Sequence, residues 1–190
     1  MFKKIIVASA IALVAASTSF ADAAPYIGAG IGIVNNTNTV TANGSSFTGG
    51  AYRGIPLNLS LGYGGSIGQS AYLGGEVFGT VGTANISANT QLKTSYGYGA
   101  SILPGLIIAD RTMVFARLGV IESHFQTNND SRVGGEFGLG SQIALTQQID
   151  IRGEYDFVAY EAKNETSGAA TSSVAPRSDQ FNLGLIYKFE

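Results

Sequence analysis

The last stretch of the chain, Gln180 to Glu190, reads Q-F-N-L-G-L-I-Y-K-F-E and decides the fold. Every second residue in it is large and apolar, namely Phe181, Leu183, Leu185, Tyr187 and Phe189. Side chains alternate between the two faces of a β-strand, so this stretch is a strand with one continuous apolar face. The opposite face is mostly small or polar. We therefore interpret the rest of the chain as the strands against which this one must close.

The N-terminus has the composition of an export signal. Lys3 and Lys4 precede an uncharged apolar run, residues 5–16, which is followed by small residues. This order is typical of a cleaved signal peptide, and the apolar run is shorter than the roughly 20 residues that a membrane-spanning helix needs. Residues 1–21 form the predicted signal peptide, with 23 as the alternative end, and residues 22–190 form one predicted domain.

The composition of the exported part excludes several classes of protein. Removing residues 1–21 leaves nine basic against thirteen acidic residues, a net charge of about −4, which argues against a nucleic-acid partner. The chain contains no cysteine, so it has neither a disulfide framework nor a cysteine nucleophile. Charged residues make up 13% of the chain, where about 25% is usual for soluble domains. An exported, charge-poor chain with 26 glycines fits a membrane β-barrel.

Alternation of apolar with small or polar residues recurs along the chain and predicts eight strands. The predicted strands are about 26–34, 51–64, 72–82, 92–108, 113–123, 133–145, 149–160 and 180–190. The predicted polar loops are 35–48, 83–91, 124–132 and 161–177, and the predicted short turns are 65–70, 109–112 and 146–148. Long and short connections alternate, as they do when short turns face the periplasm and longer loops face outward.

These features predict an all-β fold, an eight-stranded antiparallel up-and-down transmembrane β-barrel. Lipid cannot hydrogen-bond an unpaired strand edge, so the first strand must pair with the last. The continuous apolar face points outward to lipid, the reverse of a soluble barrel with an apolar lumen. Pro104-Gly105 interrupts the fourth strand and predicts a bulge or bend there.

The inward face of the predicted barrel carries charges. These residues are Glu76, Arg117, Glu136, Arg152, Glu154 and Lys188. The interior of an eight-stranded barrel is just wide enough for side chains to fill, so such charges must pair with one another or carry a large desolvation cost. We single out Glu76, Arg117, Arg152 and Glu154 as a candidate ion network. It acts either as the gate of a narrow ion path or as a satisfied polar core that fixes the strand register.

Several motifs in the mature chain resemble those of the small eight-stranded outer-membrane barrels of the OmpA/OmpX type. They include residues 72–76 (Y-L-G-G-E), 101–106 (S-I-L-P-G-L), 144–155 (A-L-T-Q-Q-I-D-I-R-G-E-Y) and 183–189 (L-G-L-I-Y-K-F). The resemblance implies location in the bacterial outer membrane, contact with its lipid, and a central salt-bridge plug containing Glu76 and Arg152. It also implies that the barrel-assembly machinery reads the last strand with Phe181, Tyr187 and Phe189, although here Glu190 follows the final aromatic residue.

No residue pattern in the sequence indicates an enzyme, a cofactor or a metal site. Ser123 and His124 are adjacent, so in a strand they point to opposite faces and do not form a nucleophile–base pair. His124 is the single histidine, which gives little support to a metal site. The sequence therefore predicts a structural or surface-interaction protein that contacts a host or surface ligand through its loops. A narrow gated pore for small solutes or ions is the alternative.

Overall fold

The computed structural model describes residues 21–42, 45–86, 92–109, 111–126, 130–167 and 170–189. Residues 1–20 of the predicted signal peptide lie outside these ranges. The described residues contain nine strands. They are β1 (Ala21–Ala42), β2 (Ser45–Ile67), β3 (Ala71–Asn85), β4 (Thr94–Ala109), β5 (Thr112–Phe125), β6 (Asp130–Ala144), β7 (Ile149–Tyr160), β8 (Lys163–Ser167) and β9 (Ala170–Lys188).

Eight of the nine strands close into an antiparallel barrel, which confirms the predicted fold. Each of β1 to β7 pairs with the next strand in the barrel, and β9 follows β7. The last strand also pairs with the first, from Tyr26 opposite Lys188 to Thr41 opposite Ser173. The barrel is therefore closed by the strand whose alternation predicted it. None of the described residues forms a helix long and apolar enough to cross a membrane.

The two faces of the barrel strands differ as the alternation predicts. Outward side chains form an apolar band in which Ile31, Leu61 and Leu139 are each about three-fifths exposed. Inward side chains fill the lumen, where Glu76, Arg117 and other charged groups are buried. We call the end of the barrel with the short turns the turn side, and the opposite end the loop side.

Two of the predicted polar loops are wrong, because most of their residues form strands. β1 continues to Ala42 and β2 begins at Ser45, so every described residue of predicted loop 35–48 belongs to a strand of one β-hairpin. Within predicted loop 161–177 lie β8 and the first residues of β9. Above the apolar band the outer face of a strand meets water instead of lipid, so polar side chains are compatible with a strand there. The inner face stays packed, and Asn36 and Ser178 are buried in it. Predicted loop 83–91 begins with the last strand residues of β3, and predicted loop 124–132 is strand at both ends; each falls partly outside the described residues.

The predicted bulge at Pro104-Gly105 is also wrong. Ile102 pairs with Leu118 and Gly105 with Phe115, which is one unbroken register, while Pro104 lies opposite Leu73 of β3. Proline removes one ladder donor here without shifting the strand. A register shift occurs instead in the hairpin of β1 and β2, between Thr37 and Asn38. Gly50 is the extra residue, with a φ of 64° that glycine adopts without strain.

Candidate functional site

A layer of charged side chains crosses the middle of the lumen, and Glu76 of β3 is its centre. Arg117 Nη2 donates to Glu76 Oε1 at 2.7 Å, and Arg152 Nη1 donates to Glu76 Oε2 at 2.6 Å. The Tyr26 hydroxyl also donates to Oε2, at 3.1 Å. All of these side chains are buried, so each carboxylate oxygen receives at least one charge-assisted hydrogen bond in a site shielded from water.

Arg117 of β5 joins the remaining predicted residue to this layer. Its Nη2 lies 3.0 Å from Glu154 Oε2, and its Nη1 donates to Ser101 Oγ at 2.9 Å. Its Nε lies 3.6 Å from Asp156 Oδ1. The structure therefore brings Glu76, Arg117 and Glu154 together in one contact network, with Arg152 on the other side of Glu76. Whether this network serves structure or gating stays a prediction.

Arg152 of β7 connects the charged layer to the turn side of the barrel. Its Nε donates to Gln142 Oε1 at 2.9 Å, and Gln142 Nε2 donates to Asp150 Oδ2. Asp150 in turn lies 3.0 Å from Lys188 Nζ, whose side chain is one-third exposed at the barrel mouth. Lys188, which the sequence places on the inner face but not in the candidate network, thus forms an ion pair at the rim of the barrel.

Aromatic rings hold both guanidinium groups in place. The Arg117 guanidinium carbon lies 5.2 Å from the centre of the Phe78 ring. The Arg152 guanidinium carbon lies 5.4 Å from the Tyr26 ring and 5.2 Å from the Phe115 ring. Cation–π contacts of this kind add attraction in a desolvated site and restrict the side chain. The layer is therefore fixed by packing as well as by ion pairs.

The charged layer has more acids than bases among the described residues. Four carboxylates, those of Glu76, Glu136, Glu154 and Asp156, face the two guanidiniums of Arg117 and Arg152 around one cavity. Asp156 Oδ2 accepts a hydrogen bond from Asn182 Nδ2 at 2.8 Å, whereas Glu136 Oε2 is buried without a hydrogen-bond partner. The cavity is about 50 Å³, large enough for a few water molecules.

Apolar side chains pack in the lumen on both sides of the charged layer. On the loop side, Ile121, Phe125, Val158 and Tyr160 form one buried cluster. Val34, Tyr52 and Leu92 form a second. On the turn side, Leu103, Met113 and Phe115 pack together with Tyr72 against them. The cavity left near the loop side is only about 20 Å³, so the described lumen is filled on the loop side of its charges. On the turn side a cavity of about 340 Å³ remains beside the Leu103 cluster.

Glycines opposite the long side chains make room for them. A Cβ atom built on Gly138 of β6 would overlap Asp156 Oδ1, and one on Gly119 would lie 3.1 Å from Glu136 Oε2. Glycine on the inner wall therefore decides where the acids and arginines fit in so narrow a barrel. The high glycine content of the chain has this packing role in addition to the turns.

A four-stranded sheet rises above the barrel on the loop side, in the order β2, β1, β9, β8. Its strands pair at Thr39 with Thr48, Thr39 with Ala175, and Lys163 with Val174. We call the parts of these strands at 35–42, 45–53, 163–167 and 170–179 the loop-side sheet. Its outward face carries hydroxyl groups; the Thr41 and Ser46 hydroxyls lie 2.7 Å apart.

Ser123 and His124 have separate surroundings. The Ser123 hydroxyl lies 2.9 Å from the Tyr160 hydroxyl inside the lumen. The His124 ring stacks on Tyr96, with centroids 5.0 Å apart, and its Nδ1 lies 3.3 Å from Ser131 Oγ. Ser123 and His124 therefore do not pair with each other. Among the described residues, no three histidine, aspartate or glutamate side chains group so that they could hold a metal ion.

The last strand presents its predicted aromatic residues outward. Phe181 is more than half exposed and Tyr187 and Phe189 about two-fifths, all on the side that meets lipid. The rings of Tyr187 and Phe189 pack edge to face with centroids 5.1 Å apart. This places an aromatic pair at the turn side, where the barrel closes on β1.

A closed eight-stranded barrel with an apolar exterior and a packed, charged lumen defines a transmembrane β-barrel protein of the bacterial outer membrane. The model of the outer membrane protein beta-barrel domain family matches residues 5–189, and the chain belongs to this family. Its outward face contacts membrane lipid. No match is found among curated protein sequences.

Solved structures of other small outer-membrane proteins are similar to this chain. Neisserial surface protein A (NspA) is 17% identical, covering 89% of this chain and 100% of that one, with a TM-score of 0.51. Ail of Yersinia pestis is 15% identical, covering 85% and 98%, with a TM-score of 0.42. OprG of Pseudomonas aeruginosa is 12% identical, covering 92% and 100%, with a TM-score of 0.49. The likeness to NspA supports the fold alone.

Proposed function

We propose that this protein is a surface-interaction barrel that does not conduct, and that its loop-side sheet contacts a host or other surface molecule. The observation that carries the proposal is the length of the pairing between β1 and β9. It continues beyond Ile33, the last outward apolar residue of β1, to Thr41 opposite Ser173. This part of β1 adds about 25 Å of strand beyond what the membrane requires.

An ordered sheet outside the membrane is a better recognition surface than flexible loops. Its backbone groups are paired between neighbouring strands, so a partner would not have to order them on binding. The segments 35–42 and 45–52 carry no charged residue and are rich in threonine, serine and asparagine. Such a surface suits a partner recognised by hydrogen bonds to hydroxyl and amide groups.

The packing of the lumen supports a role that does not depend on conduction. An ion path through the barrel would have to pass the charged layer and also the apolar clusters on both sides of it. Breaking one ion pair would remove only one of these obstacles. The charged layer is accordingly proposed as a polar core that fixes the strand register, and no enzymatic activity is part of the proposal.

A gated pore remains the second candidate because the turn side of the lumen is open. A vestibule of about 340 Å³ there is lined by Tyr26, Tyr72, Gln142, Asp150 and Lys188. It reaches the charged layer from the periplasmic side. Opening the path fully would require the clusters on the loop side to move.

Two assembly steps complete the proposal. A signal peptide ending at residue 21 or 23 directs export, and the barrel-assembly machinery then recognises β9 through Phe181, Tyr187 and Phe189. The outward position of these three side chains supports this, because they are accessible before the barrel enters lipid.

The β1–β2 half of the loop-side sheet can be removed without touching the barrel. Thr37 and Ala51 lie opposite each other on β1 and β2, so residues 38–50 can be replaced by Asn-Gly, the favoured two-residue hairpin turn. Bacteria displaying this variant should lose adhesion to host cells and to extracellular-matrix coatings that the unaltered protein supports. A heat-dependent change in gel migration would show that the variant barrel is folded. Undiminished adhesion by the folded variant would contradict the proposal.

Planar-bilayer recording tests the pore. The unaltered barrel and the Glu76→Gln variant should both show no single-channel steps, because the apolar clusters remain in each. Steps from the unaltered barrel that increase in Glu76→Gln would establish the gated pore instead.

A further inference from the structure

Two arginines flank β1 on the outer surface, where the loop-side sheet leaves the membrane. Arg53 of β2 lies opposite Asn35, and Arg177 of β9 lies opposite Thr37, both with exposed side chains that share the face of the lipid-facing residues. The strand spacing and the two-residue offset place their backbone positions about 12 Å apart. Two long side chains at this distance can close on one ligand between them.

Neither guanidinium group is neutralised within the protein. Among the described residues, Arg53 and Arg177 form no ion pair and no side-chain hydrogen bond. Asp179, two residues along β9 from Arg177, lies opposite Asn35, and one of its carboxylate oxygens accepts a hydrogen bond from the Tyr155 hydroxyl. At these positions of β1, β2 and β9, the outer face therefore has two positive charges against one negative charge.

The position of the pair fixes the kind of ligand that can reach it. Ile33 of β1 and Phe181 of β9, the apolar residues directly below, are each more than half exposed to the lipid tails. Arg177 and Asp179 are the next outward residues of β9 above Phe181. The guanidiniums thus lie at the boundary between lipid tails and headgroups, where snorkelling arginines meet anionic lipid groups.

We propose that Arg53 and Arg177 clamp the phosphorylated headgroup of an outer-leaflet lipid against β1. Arginine binds phosphate with two parallel hydrogen bonds, and the side chains of Asn35 and Thr37 add polar groups between the two arginines. Asp179 limits the affinity by repelling the same phosphate. The bound lipid anchors the foot of the loop-side sheet at a fixed height in the membrane.

The test is a titration of the full barrel, refolded in a zwitterionic detergent, with bisphosphorylated lipid A, read by native mass spectrometry. A cation beside an anionic lipid group contributes roughly a fivefold gain in affinity, so Arg53→Gln and Arg177→Gln should each weaken binding about fivefold. Asp179→Asn keeps the acceptor for Tyr155 and should tighten binding. Removing the phosphates of lipid A should weaken its binding to the unaltered barrel. The loss should be at least as large as that caused by the Arg53→Gln/Arg177→Gln double variant with phosphorylated lipid A.

Arg111→Gln is the matched control, because Arg111 is an exposed arginine on the turn side. It should leave the affinity for lipid A unchanged. Equal weakening by Arg111→Gln would show general charge attraction and overturn the clamp. Undiminished binding by the folded Arg53→Gln/Arg177→Gln double variant would also overturn it. Neither result would depend on whether the loop-side sheet binds a host molecule.

Discussion

Arg152 of β7 reaches across the lumen to Glu76 of β3, with Nη1 2.6 Å from Oε2, although 76 positions separate them in the chain. Glu76 binds Arg117 through its other oxygen, so one carboxylate joins strands β3, β5 and β7. No local interaction can create this contact. Only the closed barrel brings the three strands to one point, and the proposed role of the charges is to fix the register that closes it.

Removing either partner of this pair should destabilise the barrel strongly. Glu76→Gln leaves the buried Arg152 without its ion pair, and Arg152→Met leaves Glu76 with one of its two arginines. Removing one partner of a buried ion pair costs about 3–5 kcal/mol. Glu76→Gln should be the more costly of the two because it removes the charge facing two arginines. The free energy of unfolding, measured in urea from lipid vesicles, gives both values.

The double variant Glu76→Gln/Arg152→Met should lose less than the sum of the two single losses, because the pair disappears together. Lys188→Gln is the control on the same inner face. Its partner Asp150 keeps the hydrogen bond from Gln142 and Lys188 is partly exposed, so the cost should be about 1 kcal/mol or less. Strictly additive losses for Glu76 and Arg152 would rule out direct coupling.

The glycines on the inner face of the barrel lead to a second prediction. Gly138→Ala should destabilise the barrel by about 1–3 kcal/mol, because the new methyl group would overlap Asp156 Oδ1 and force the carboxylate away from Asn182. Gly135→Ala in the same strand is the matched control. A Cβ there meets nothing within 4 Å, and its side chain faces outward. Comparable unfolding midpoints for the two variants would contradict the packing of the charged layer.

The barrel strands could be predicted because two different surroundings impose the alternation. Lipid requires apolar residues on one face and the narrow lumen requires small or paired polar residues on the other. Above Ile33 the lipid requirement ends, and the threonine- and asparagine-rich residues after it are compatible with loop or strand. These residues form a strand because they pair with β9. The pairing partner is far away in the chain, so the local sequence does not reveal it.

The charged site could be predicted in part. Alternation places Glu76, Arg117, Arg152 and Glu154 on the inner face, but the height of each in the barrel depends on the strand tilt and register. The sequence does not single out Tyr26, Gln142 and Asn182, which complete the hydrogen bonds of the layer. These side chains are uncharged. The one feature of the sequence that indicates them is the alternation, which places them on the inward face of their strands.

The N-terminus of the exported protein should be Asp22 or Ala24. Cleavage after Ala21 or after Ala23 satisfies the small-residue pattern. Both products keep the pairing from Tyr26 to Lys188 that closes the barrel. The intact mass of protein extracted from outer membranes distinguishes them. A mass that retains residues 1–21 would show that no signal peptide is removed.

The lipid-facing direction of β2 can be tested with two neighbouring residues. Leu59 points outward and is more than half exposed, between Ala29 of β1 and Gly79 of β3. Leu59→Arg should cost about 2–4 kcal/mol, because it puts a charge near the bilayer midplane. Ser60 points into the lumen, so Ser60→Ala removes one hydroxyl and should cost about 1 kcal/mol or less. Urea unfolding in phosphatidylcholine vesicles measures both variants. Equal shifts of the two midpoints would contradict the outward direction assigned to Leu59. The same assignment for Leu57 and Leu61 would then also be wrong.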